Sequence, residues 1–191
     1  MKQRKILSCP TDGCFLISQV NTNGVLSLGQ SFIQRSARLN DFNSVSSPPI
    51  IAPFWNDIDI TYGGTIYYCQ DSNPVAAEKV QQEISSLFPE AEFFHPSLVF
   101  VATWDRVASE DRVFSRGLFN TFQVTVASDG TWTFVKFSYG DIQFPEGFRG
   151  TLIGVSAGDR LNFVTHPASL TSLPERLDGN SITYRVDSKL P

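Results

Sequence analysis

The sequence predicts a mostly β protein: an antiparallel two-layer β-sandwich-like domain with one amphipathic helix inserted at about residues 74–88. Three observations carry that expectation. Apolar residues recur mainly with period two, the repeat that sends alternate side chains to opposite faces of a sheet. Turn signals rich in glycine separate the apolar runs. A single stretch instead places its apolar residues at helical spacing.

Taken in chain order, Asn23-Gly24 precedes Val25–Leu28, Gly63-Gly64 precedes Thr65–Tyr68, and Asp129-Gly130 precedes Thr131–Phe137. Gly, Asn and Asp tolerate the positive φ of two-residue turns, so each pair predicts a tight hairpin. Residues Asn43 to Pro49 are rich in Ser and Pro and predict a loop. The helix rests on Ala76, Val80, Ile84 and Leu87, with Glu78, Lys79, Gln82 and Glu83 between them. Asn73 suits its N-cap, Pro74 its first position, and Pro89 follows its last turn. In Leu98–Trp104 both faces are apolar, which predicts a central strand. Phe122, Val124 and Val126 alternate with Gln123 and Thr125, which predicts a strand covered on one face.

A chain of 191 residues with 41% hydrophobic content suits one domain with a full core. A net charge of -4, with no basic run beyond Lys2-Gln3-Arg4-Lys5, argues against nucleic acid or an anionic membrane as partner. No apolar run approaches the roughly 18–20 residues of a membrane-spanning helix. The start of the chain is basic, but Ser8, Cys9, Pro10, Thr11 and Asp12 interrupt the apolar stretch that a signal peptide needs, so none is visible. Three cysteines, Cys9, Cys14 and Cys69, make no even framework. Cys9 and Cys14 could close a small loop, and Cys69, in a strand after Ile66-Tyr67-Tyr68, reads as a small buried side chain or the partner of a cysteine elsewhere.

Several motifs invite a chemical reading. Gly154-Val155-Ser156-Ala157-Gly158 has the G-x-S-x-G form of a hydrolase nucleophile elbow. That elbow needs a helix next, whereas Asp159 to Thr165 read as a turn and a strand, and no histidine follows His166. Asp57 and Asp59 alternate along an expected strand and would share a face, offering oxygen ligands for calcium with Asp71 or Asp141. No compact calcium loop supports them, and neighbouring loop amides are the simpler partners. As an acid/base couple for sugar hydrolysis they lack an evident cleft. Trp104-Asp105-Arg106 is either an interface hot spot or the end of a core strand with Asp105 and Arg106 paired locally. Trp55, Trp132, Tyr139 and Phe144 are either a sugar-binding platform or core aromatics. His95 and His166 lack metal-ligand spacing, and no Asn-x-Ser/Thr sequon occurs, so no metal, cofactor or N-glycan is expected.

One set of motifs, in one order, is more specific. Ile51-Ala52-Pro53-Phe54-Trp55-Asn56-Asp57-Ile58-Asp59 is followed by Val101-Ala102-Thr103-Trp104-Asp105-Arg106-Val107, then Asn120-Thr121-Phe122-Gln123-Val124, Ser128-Asp129-Gly130 and Tyr139-Gly140-Asp141-Ile142-Gln143. The series resembles the signature of the nidogen-like (NIDO) extracellular domain. The resemblance runs from about Val20 to Asp187, implying a single domain at 20–188 after an N-terminal extension or truncated lead-in at 1–19. It implies a non-catalytic module of the kind found in nidogens, tectorins and membrane-bound mucins, secreted or part of a larger ectodomain. Such a module serves cell–matrix adhesion, with extracellular matrix or cell-surface proteins or glycans as the partners the resemblance implies. The family has Asn where Ser156 stands, which makes the hydrolase match incidental. A carbohydrate-binding β-sandwich is the rival reading, and a hydrolase using Ser156 a more distant one. Cys69 stands where the family has a polar residue, and the Glu78–Phe94 stretch is long.

Overall fold

A computed structural model describes residues 17–33, 42, 44, 47–111, 113, 115–144, 150–167, 169, 177 and 179–186. Along these residues run strands β1 (Ile17–Asn21), β2 (Val25–Leu28), β3 (Ile50–Trp55) and β4 (Thr65–Asp71), then helix α1 (Pro74–Leu87) and a 3-10 turn at Pro89–Ala91. They continue with β5 (Leu98–Ala108), β6 (Phe119–Ser128), β7 (Thr133–Ile142), β8 (Leu152–Ser156), β9 (Phe163–Thr165) and β10 (Ser181–Arg185). The strands form two antiparallel sheets of five, ordered β1-β2-β3-β8-β9 and β10-β7-β6-β5-β4. This is the mostly β, two-layer architecture with one inserted helix that the sequence predicts.

The sheets meet face to face. Leu26, Ile51, Phe54, Ile153 and Val155 of the first sheet pack on Phe100, Ala102, Trp104, Phe122, Val124, Val126, Val135 and Phe137 of the second. The outer face of the first sheet is also dry, because Val25, Ile50, Ala52, Trp55 and Leu152 lie beneath Phe32 and Phe42. Burial on both sides explains why Ile50–Trp55 and Leu152–Ser156 are nearly continuous apolar runs and not alternating ones. On the far side of the second sheet, Ile84, Ala91 and Phe94 cover Ala127 and Phe134.

Helix α1 forms where its end signals predict. Asn73 Oδ1 accepts the Val75 N–H at 3.0 Å, Pro74 opens the first turn, and the Phe88 N–H closes the last on the Ile84 carbonyl. Leu87, expected on the covered face, is exposed. The helix ends at that residue, and the chain turns to bring Phe88 against Phe134 instead, with ring centroids 5.1 Å apart.

Two of the three turn signals close hairpins. Asn23-Gly24 joins β1 to β2, with Gly24 at φ +76° and so close to Phe54 that a Cβ would stand 2.0 Å from its carbonyl oxygen. Asp129-Gly130 joins β6 to β7 through residues 129–132, longer than the two-residue turn expected. Asp129 Oδ1 supports that loop by accepting the N–H groups of Thr131 and Trp132 at 2.8 and 2.7 Å.

Gly63-Gly64 is not a hairpin turn, because β3 and β4 belong to different sheets. The pair ends a crossover at the point where the β5–β6 register shifts between Trp104 and Val107. Gly64, at φ +96°, lies against that bulge, and a Cβ there would come within 2.5 Å of Val107 Cα. Positive φ is what the sequence signals; the close approach to β5 is a finding of the structure.

Two further expectations need correction. Leu98–Trp104 lies second from the edge, and β6 takes the middle of its sheet. Val99 is nevertheless buried, because α1 lies against β5. Cys69 is exposed, since nothing among the described residues covers the outward face of edge strand β4, whereas on its inward face Ile66 packs against the core. Cys9 and Cys14 lie outside the described residues.

Candidate functional site

The signature aromatics converge between the sheets. Phe54 on β3 stands 5.2 Å from Phe122 on β6 and meets Phe144 edge-on at 6.2 Å. Trp104 stacks on Phe122 with centroids 5.0 Å apart. Trp55 points the other way, 0% exposed on the outer face of the first sheet, where it meets Phe32 at 5.1 Å. Alternation along β3 therefore sends Phe54 and Trp55 to opposite covered faces. Trp132 is half-buried beneath the Arg185 guanidinium, 4.4 Å from its ring centroid. The tryptophans thus form no open platform of the kind a lectin groove requires.

Among the described residues, two side chains bond across the core. Tyr139 Oη donates to the Pro53 carbonyl at 2.8 Å, and Trp104 Nε1 donates to the Asn21 carbonyl at 3.0 Å. Pro53 has no N–H to lose and sits where the β3–β8 register shifts between Ala52 and Trp55, so its carbonyl is free to turn inward. Burial holds the Tyr139 phenol well above its ordinary range, with the nearby Tyr184 hydroxyl adding to the effect.

The remaining signature residues shape backbone. Asn120, fully buried, accepts the N–H groups of Gln143 and Phe144 at 2.8 and 3.0 Å and donates to the Phe144 carbonyl at 2.8 Å. Gln143 in turn accepts the Phe119 N–H at 2.9 Å and donates to Asp141 at 2.5 Å. Together they fasten the end of β7 to the start of β6. Gly140 lies close over Thr121 of β6, a Cβ there standing 3.5 Å from its side chain. Gln123 Nε2 donates to Thr103 Oγ1 at 2.7 Å. Asp105 and Arg106 do not end β5, as expected from the triplet, but form its bulge. Arg106 has φ 50°, donates its N–H to Thr121 Oγ1 at 3.1 Å and places its guanidinium over Phe119.

Asp57 and Asp59 do not alternate along a strand, because β3 stops at Trp55. Their segment makes a single bridge, Ile58 to Ser109, flanked by hydrogen bonds from Glu110 N to the Asp57 carbonyl and from Asp59 N to the Ala108 carbonyl. Asp59 Oδ1 accepts both the N–H and the hydroxyl of Thr61, at 2.8 and 2.7 Å. It is committed to an Asx turn. Among the described residues no three His, Cys, Asp or Glu side chains are grouped as metal ligands.

Ser156 is buried at the end of β8, its Oγ accepting the Gly158 N–H at 3.2 Å. The chain continues through a turn supported by Asp159 Oδ1 and then β9, not a helix. Those turn amides hold the exposed Asp159 carboxyl below its ordinary range. An elbow that lifts a serine into a cleft is absent from this stretch.

Sequence reasoning missed the concavities beside the helix. A cleft of about 480 Å³ lies between α1 and the outward face of β6, β7 and β10, lined by Lys79, Val80, Gln123, Thr125, Ser138 and Thr183 among others. The Lys136–Glu83 ion pair crosses it. The signal existed as polar residues alternating out of β6 and β7, but nothing in the sequence says how far a helix stands off a sheet.

A two-sheet β module whose signature residues pack its core and fasten its backbone is the class these features define. The chain belongs to the nidogen-like domain family, whose model matches residues 17–180. It is 30% identical to alpha-tectorin of Mus musculus over 80% of this chain and 8% of the tectorin. It is 33% identical to nidogen-2 of Mus musculus over 67% of this chain and 9% of the nidogen. Dendrite extension defective protein 1 of Caenorhabditis elegans is 29% identical over 82% of this chain and 14% of its own length. The chain thus spans a small part of each relative. No solved structure matches it. The family is that of an extracellular matrix module, and among the described residues no helix is long and apolar enough to cross a membrane.

Proposed function

We propose that this chain is a non-catalytic extracellular module for cell–matrix adhesion, secreted or carried in a larger ectodomain, that binds a matrix or cell-surface protein by surface complementarity. Family membership supplies the setting. The observation that carries the non-catalytic part is the use of the signature's chemistry-bearing side chains: Tyr139, Asn120, Gln143 and Asp59 each hold backbone in place. Function then resides on surfaces that the signature supports from beneath.

The test is binding of the purified chain to a panel of matrix proteins and glycans, with calcium or with chelator. Saturable binding to a matrix protein that survives chelation is expected, as is unchanged binding by Ser156→Ala. Binding to glycans alone, or only with calcium, would overturn the reading in favour of a lectin-like site.

A further inference from the structure

The four edges of the two sheets are not equally guarded. Natural sheets blunt their edges with short strands, bulges, charge or covering segments, because an open ladder of N–H and C=O groups recruits another strand. In β1 the register shifts between Ile17 and Gln19, and its side chains hold a covering segment: Gln19 accepts the Phe32 N–H at 2.8 Å and Asn21 donates to the Phe32 carbonyl at 3.0 Å. At the opposite edge β9 has three residues. In the second sheet β10 carries Arg185.

The fourth edge, β4, is the longest of the four and, among the described residues, has no bulge and no covering segment; like β10 it carries one charge, at its last position. Its seven residues pair with β5 in unbroken register from Thr65↔Asp105 to Asp71↔Val99. It contains no proline and no charge before Asp71, and its side chains are rich in types that favour strands. Tyr67 is 58% exposed on the outward face and Tyr68 38% exposed on the inward one. No strand lies beyond it among the described residues.

We propose that β4 is a self-association edge, pairing antiparallel with β4 of a second copy of this chain about a two-fold axis at Tyr68, so that two five-stranded sheets become one of ten. The strand's own sequence selects the occupant. In that register Tyr68 meets its symmetry mate, Tyr67 lies opposite Cys69 of the other copy, Ile66 opposite Gln70, and Thr65 opposite Asp71. Aromatic pairs and thiol–aromatic contacts are favourable cross-strand neighbours, and the strand's single charge falls opposite a hydroxyl and not another carboxylate. A two-fold interface repeats each contact, so the backbone ladder and the cross-strand side-chain pairs on both faces form twice over. Any disulfide between copies is separate from this pairing, because in this register the two Cys69 residues lie diagonally and not directly opposite.

The experiment is sedimentation velocity from micromolar to millimolar concentration, performed on the Cys69→Ser chain as well as the natural one. A concentration-dependent dimer in both is expected, with hydrogen exchange at β4 slowing as the dimer forms. Tyr68→Lys puts like charges face to face on the axis and should weaken the dimer at least about tenfold; Tyr68→Phe should leave it intact. Tyr67→Lys, at a more exposed position, should act in the same direction, and circular dichroism checks that each variant is folded. A monomer at every concentration, a dimer lost with Cys69→Ser, or a dimer indifferent to both lysines would overturn the proposal. So would protection of β4 that arises only on adding a different protein.

Discussion

Tyr139 shows how a residue that looks like a binding aromatic serves the fold. Its hydroxyl reaches the Pro53 carbonyl across the core, so Tyr139→Phe leaves a buried acceptor without its donor. The expected loss is about 1–2 kcal/mol, read as a lower denaturation midpoint with unchanged slope. The same hydroxyl predicts an alkaline effect. Burial raises its folded pKa, while in the unfolded chain it ionises near pH 10. Stability is therefore full below that pH and falls as pH rises above it, less steeply in Tyr139→Phe than in the parent. Little of this was legible in the sequence, where an alternating aromatic shows only that one face is covered. Which carbonyl faces Tyr139 depends on the bulge at Pro53, and what Asp57 and Asp59 meet depends on where β3 stops. Asp57 and Asp59 read as strand residues because Ile58 continues the apolar alternation; the backbone leaves the sheet at Trp55 nonetheless.

At the scale of elements, the end signals of α1 were legible because they are local. Asn73→Ala removes the acceptor of the Val75 N–H and should cost about 1 kcal/mol. Hydrogen exchange should accelerate first in the opening turn of the helix, with the sheets unaffected. Gly64 is the opposite case. Its requirement for positive φ is visible in the sequence, but the strand it lies against is not, because a Gly-Gly pair reads alike at a hairpin and at a crossover. Gly64→Ala should cost about 2 kcal/mol or more, since the side chain meets the backbone of Val107 and nothing flexible can yield. Thermal melting checks it, with Gly130→Ala, where φ is also positive but no atom lies within 4 Å, as the milder comparison. The reading of Cys69 as a small buried side chain fails for a related reason: alternation shows which residues share a face, not whether anything covers that face.

Across the whole molecule, each sheet is buried or partly buried on both sides, so the layers stabilise one another and should unfold together. Trp55 lies outside the first sheet and Trp104 between the two. Fluorescence of variants keeping only one of these tryptophans, each replacing the other by Phe with Trp132 also changed to Phe, should report coincident denaturant midpoints. Separated transitions would mean that the outer layer opens alone. The two-layer class was legible from periodicity and turns, whereas the pairing order β3-β8 and β10-β7 was not, since those contacts join strands far apart in sequence. Finally, the Tyr139–Pro53 and Trp104–Asn21 bonds bear on how the module handles load. An apolar interface resists separation yet permits sliding, for dispersion has no direction. One directed bond across it still permits pivoting, whereas two at separate points permit neither. A pull applied to one sheet should thus load both bonds together, and in force-extension measurements Tyr139→Phe is expected to yield at lower force than the parent.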